Sequence, residues 1–245
     1  MVLNMEISIT TLAESKENFL QMSQNIIAAN VANQALSSVE PIESVIEAMK
    51  QFFDIAMGVE SMQEQFADND ISDIGEHGLS ILQKLMMKTD LLQLSVERKS
   101  LDQIALVIAD WIIQRDGIIN LLEPIVDALA QVANSITEQQ QLIALVDFMS
   151  EIIEACSDTI KQDMEMSDMH RPWRVLHINR GIVATRSNDP ATMRRIFAEL
   201  ITALPMDAPN FFKEGMSEMV RLNYPEQVRN VMQEFFDKTD KPQIH

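Results

Sequence analysis

Residues 42–66 read IESVIEAMKQFFDIAMGVESMQEQF. Ile42, Val45, Ile46, Met49, Phe52, Phe53, Ala56, Val59 and Phe66 recur at the spacings that place side chains on one face of an α-helix. The apolar face they form is broader than the narrow seam of a two-stranded coiled coil, which suits a helix on the inside of a bundle. The same period runs in both directions from this stretch. Upstream, Leu12, Phe19 and Ile26 alternate with Met22, Ala29 and Leu36, which predicts a first helix from Thr11 to Leu36. Downstream, Asp68-Asn69-Asp70 separates the segment from another helix carrying Ile74, Leu79, Leu82, Leu85 and Met86.

Later starts and stops are marked by local chemistry. Ser100-Leu101-Asp102-Gln103 and Thr137-Glu138-Gln139-Gln140 have the form of capping boxes, in which a hydroxyl accepts an early backbone N–H and the third residue reaches back. The first predicts a helix through Trp111 and Ile113, ended by Gly117. The second predicts a helix carrying Leu142, Val146, Met149, Ile153, Cys156 and Ile160. Between them, Pro124 either kinks a helix over 118–136 or marks its first turn. Beyond Pro172, a helix over 173–186 is followed by three short ones that start at Asp189-Pro190, at Asp207 with Pro209, and at Tyr224-Pro225. The expected fold is therefore all-α: a helical bundle or α-solenoid-like array of about ten helices, with a smaller C-terminal helical unit.

Charge divides the chain as well. Up to Glu165 there are 8 Lys and Arg against 27 Asp and Glu, a net of −19, whereas from Asp168 onward there are 11 against 10. Met164–Pro172 is the best candidate linker, so the expected units are an acidic six-helix unit over 1–166 and an arginine-containing unit over 167–245. The second opens with Arg171, Arg174, Arg180, Arg186, Arg194 and Arg195. Arg171, Arg174, His177 and Arg180 recur every third residue and form a cationic strip, beside Trp173. This strip is expected either to dock on the acidic unit or to hold an anion in guanidinium forks.

Composition removes several function classes. One cysteine, Cys156, allows no internal disulfide and fits a reducing compartment. The chain has neither a signal-peptide pattern nor an apolar run of the ~20 residues a membrane-spanning helix needs, so a cytoplasmic location is expected and a membrane partner is not. A net charge of −18 disfavours a nucleic-acid partner. No Glu-x-x-His, nucleophile elbow or glycine-rich phosphate loop occurs, and no catalytic residue, metal or cofactor is assigned. Asp168, His170 and His177 are too loosely spaced to read as a metal site.

A non-catalytic adaptor or scaffold is the reading that remains, binding a protein or peptide through an apolar surface rich in Met and Phe. Phe211, Phe212, Met216, Met219, Phe235 and Phe236 are the candidate groove, and seventeen methionines give such a surface adaptability. Self-association is compatible with it. The alternative is a helical enzyme or small-anion sensor built on His170, Arg174, His177 and Arg180.

Overall fold

The computed structural model describes residues 10–33, 41–61, 68–163 and 167–240, with the side chains of 61, 68 and 69 excepted. Among them there are eleven α-helices, and the β contact they show is one isolated parallel bridge, Ile119 to Cys156. The all-α expectation holds. No helix of the described residues is long and apolar enough to cross a membrane. Two compact units are formed: 1–134 with 151–162, and 135–150 with 163–245. The grouping of 135–150 with the second differs from the boundary at 166 expected from charge.

The first unit is built on four helices, α1 (Leu12–Ala32), α2 (Ile42–Ser61), α3 (Asp68–Leu91) and α4 (Ser95–Ile113). They close a ring, with α1 on α2, α2 on α3, α3 on α4 and α4 back on α1. Cross-helix contacts fix neighbours as antiparallel: Lys16 meets Asp54, Gly78 meets Phe52, Gly75 meets Ile112, and Asn25 donates to Glu97 at 3.1 Å. The face read from 42–59 is buried as expected, with Ile42, Met49, Phe52 and Phe53 at most 1% exposed. Leu36 and Phe66 lie outside the described residues. At Gly75 and Gly78, α3 lies close against its neighbours. A Cβ on Gly75 would run into the Ile112 side chain, and one on Gly78 into the Phe52 ring.

Helix starts follow the local chemistry only in part. Thr11 caps α1 in a true box: its hydroxyl accepts the Glu14 N–H, and the Glu14 carboxylate accepts the Thr11 N–H at 2.8 Å. The box expected at Ser100 is not one. The chain turns at Gln93 (φ 58°), where the Leu94 N–H bonds the Thr89 carbonyl, and α4 starts at Ser95. Ser100 therefore lies inside the helix and donates to the Val96 carbonyl at 3.3 Å. After α4 a turn through Asp116 (φ 55°) leads to Ile119, which exchanges bonds of 2.8 and 3.0 Å with Ala155 and Ser157. That pairing ends α6 (Gln139–Ala155) before Cys156 and leaves Pro124 in the first turn of α5 (Glu123–Ser135). A short α7 (Asp158–Lys161) is the helix that periodicity did not predict.

In the second unit, α8 (Pro172–Arg186), α9 (Pro190–Ala203), α10 (Ala208–Arg221) and α11 (Glu226–Thr239) follow the predicted starts. Asp189 caps α9 by accepting the Thr192 N–H at 2.7 Å. The first part of α6 belongs here too. Arg180 donates to Ser150 at 3.0 Å, Arg186 to the Ile136 carbonyl at 2.6 Å, and Arg195 to Asp147 at 2.5 Å.

Candidate functional site

The arginine strip is satisfied within its own unit. Arg171 is 4% exposed and grips Asp163 through two bonds of 2.6 and 3.0 Å, while a third reaches Asp207 at 3.0 Å. Arg174 donates to the other Asp207 oxygen at 2.6 Å and to the Met169 carbonyl at 2.9 Å. Arg180, 1% exposed, pairs with Glu199 at 2.8 Å. Asp163 and Asp147 come from the acidic half of the sequence, but both fold into the second unit. These guanidiniums act as a clasp holding 163, α8 and the start of α10 together. An anion entering here would have to displace carboxylates already in bidentate or shared contact.

The histidines are not brought together. The His170 side chain is 96% exposed, with Nδ1 3.7 Å from Asp168. His177 is 2% exposed, packs against the Trp173 ring at 4.4 Å, and has no hydrogen bond at either ring nitrogen. Burial first, and the Arg180 charge second, push its pKa down to about 3. It is therefore a neutral core imidazole at pH 7 rather than a proton-transfer group. Among the described residues, no group of three or more His, Cys, Asp or Glu is placed to hold a metal ion. Cys156 is buried, and desolvation raises its thiol to about 12, which makes it inert as a nucleophile.

Half of the predicted Met/Phe groove is core. Phe212, Met219 and Phe235 are 0%, 1% and 4% exposed and pack with Met193, Phe197, Leu200 and Met232. Phe211, Met216 and Phe236 are half-buried at its edge. The Phe197 ring lies 5.1 Å from that of Phe212 and 5.4 Å from that of Phe235. Three helices of fourteen residues have little else to bury, so their apolar faces close on each other instead of lining a groove.

Two open clefts lie in the first unit. One cleft of about 740 Å³ is bounded by the start of α3, the exit of α4 and the end of α6. Asp73, Asp116, Glu151, Glu154 and Asp158 line it, with Lys161 as the cation, and the Lys161 ammonium donates to the Glu154 backbone carbonyl at 2.8 Å. A second cleft, of about 660 Å³, lies where α3 ends, α4 begins and α5 passes. Arg98 and Lys99 line it, and Arg98 is ion-paired. Arg98 pairs with Asp102, whose side chain is 4% exposed, and has Asp90 at 3.3 Å and Asp127 at 3.6 Å. Burial raises the pKa of Asp102, opposed by Arg98, and burial likewise raises that of Asp127.

Sequence reasoning missed this charge cluster. Arg98 and Asp102 stand one helical turn apart, and Asp102 interrupts the most apolar stretch of the chain, so half the cluster carries a local signal. Asp90 and Asp127 arrive through the turn and through α5, which no spacing announces. No protein-family model matches the chain, and neither a curated protein nor a solved structure does.

Proposed function

We propose that this chain is a non-catalytic helical binding protein whose acidic first unit engages a basic protein or peptide partner. One observation carries the reading. The first unit holds 23 Asp and Glu against 8 Lys and Arg, a net of −15, and its cleft between α3, α4 and α6 is lined by five carboxylates and one ammonium. Such a surface attracts cationic partners over several ångströms and repels nucleic acid and anionic lipid. The buried histidine, the inert thiol and the paired arginines supply no acid, base or nucleophile that would favour catalysis. A single thiol kept reduced and buried accords with a cytoplasmic setting.

The test is fluorescence anisotropy of labelled oligolysine and oligoglutamate added to the intact protein at low and at 0.5 M salt. Oligolysine should bind, lose most of its affinity in high salt, and bind more weakly when Asp73, Glu154 and Asp158 are replaced together by Asn, Gln and Asn. Oligolysine that fails to bind, or binding that ignores salt, would sink the reading.

A further inference from the structure

We propose that Asp116–Gly117 is a modification site of the aspartate-to-isoaspartate class, closed in the folded protein and opened when the turn after α4 loosens. Of the six glycines in the chain, only Gly117 follows an aspartate or an asparagine. A glycine leaves its own backbone nitrogen unhindered, so an Asp–Gly bond is where an aspartate side chain is attacked most readily by the chain that carries it. Packing explains the glycine. A Cβ on Gly117 would stand 2.7 Å from a side-chain carbon of Ile71 and 3.0 Å from one of Ile112. Helix termination explains the aspartate. Asp116 holds the left-handed position in which helices commonly end, with φ at 55°, and Asp is among the few residues besides Gly that adopt it. Two bonds fix the turn, from the Asp116 N–H to the Ile113 carbonyl at 3.1 Å and from the Gly117 N–H to the Ile112 carbonyl at 3.0 Å. They are the paired bonds of a Schellman ending.

The reaction needs no partner but water. The Gly117 nitrogen forms a bond to Asp116 Cγ, the Cγ–OH bond of the protonated carboxyl breaks, and the N–H proton leaves with that hydroxyl as water. The succinimide ring then takes water back. Opening at Cγ restores aspartate, whereas opening at the main-chain carbonyl leaves the chain running through Cβ and Cγ, which is isoaspartate. In the folded protein Asp116 is exposed, but Gly117 is buried and its N–H is committed to Ile112. The lock is therefore on the attacking nitrogen and not on the carboxyl. The next two residues hold it shut, since Ile118 donates to the Ser72 hydroxyl and Ile119 to the Ala155 carbonyl, both at 2.8 Å. One added backbone carbon at 116 would put both bonds out of register, so a rearranged chain could not remake this exit from α4. The site marks chains that have spent time with the turn open.

Peptide mapping of the intact protein after storage at neutral pH, folded and in denaturing urea, tests the assignment. Isoaspartate separates from aspartate by chromatography at equal mass, and the succinimide is lighter by one water. Isoaspartate should build up at 116 in urea and at least about tenfold more slowly in the folded protein, where only the fraction with an open turn can react. Ser72→Ala removes the acceptor for the Ile118 N–H and should raise the folded-state rate while helical circular dichroism is unchanged. Should that variant unfold, wild type in urea below its unfolding transition takes its place. There the rate at 116 should climb in step with hydrogen exchange of the Gly117 amide. Equal rates in the folded and the unfolded protein would overturn the proposal. So would a folded-state rate that follows neither the Ser72 variant nor the opening of the Gly117 amide, or isoaspartate that forms first at another aspartate or asparagine in urea.

Discussion

His177 shows what a buried titratable group does when nothing answers it. Its pKa of about 3 lies below the ordinary value of 6.5, so the unfolded chain takes up a proton before the folded one does. The stability tied to His177 is complete above pH 6.5 and is lost as the pH falls from there toward 3. At pH 5 that loss amounts to about 2 kcal/mol, since each pKa unit is worth about 1.4 kcal/mol. His177→Leu should remove it: denaturant melts at pH 7 and pH 5 should diverge less in the variant by that amount. Equal pH dependence in the two proteins would show that the imidazole finds a partner in solution. No local pattern of residues marks this role. The period-three run through Arg171, Arg174, His177 and Arg180 suggested one cationic strip, but a period of three drifts around a helix. His177 was carried into the core, Arg171 and Arg174 to a shared Asp207, and Arg180 to Glu199.

Between elements, approach distances and clasps decide the packing. Gly78 lets α3 lie against the Phe52 ring, which is buried and cannot swing away, so Gly78→Ala should destabilise the protein by about 1–3 kcal/mol. Gly58 on α2 has open space where its Cβ would be, and Gly58→Ala should be neutral or stabilise by up to about 1 kcal/mol. Thermal melts of the pair distinguish steric contact from helix propensity. Asp207 is the counterpart in polar chemistry, accepting from Arg171 and Arg174 with its side chain only 11% exposed. Asp207→Asn should cost about 1.5–3 kcal/mol, the worth of hydrogen bonds to charged groups, and hydrogen exchange should rise first at the start of α8. A variant as stable as wild type would mean that Asp163 suffices alone. Helix existence and most helix starts were legible from period and from Pro or Asp signals, as at Asp189-Pro190. Ser100 was not, because the backbone reversal at Gln93 set the start of α4 five residues earlier. The end of α6 was not, because it depends on a pairing with Ile119, 36 residues away.

For the molecule as a whole, like charge is the standing cost. With a net of −15, the first unit repels itself, and screening should relieve more repulsion than it removes attraction from pairs such as Lys16–Asp54. Raising salt from about 10 mM to about 150 mM, which shortens the Debye length from about 30 to about 8 Å, should therefore raise the melting temperature. A fall would mean that the surface ion pairs outweigh the excess of carboxylates. The charge division itself was legible in the sequence, yet the contact boundary was not, because helical periodicity runs unbroken through 139–155 while its neighbours change. That shared helix matters for a chain emerging from the ribosome. The order of visits is first unit, second, first, second, so a nascent chain halted after residue 134 lacks the Ala155–Ser157 segment that Ile119 bonds. The four-helix ring can close early, but the Ile119 pairing must wait for residues beyond 155, by which time part of the neighbouring unit has already been synthesised. Neither unit is a contiguous fragment that a gene boundary or a single protease cut could release. Splitting the chain at 134 should leave α1–α4 packed, with the Ile119 pairing restored only when the two pieces are mixed.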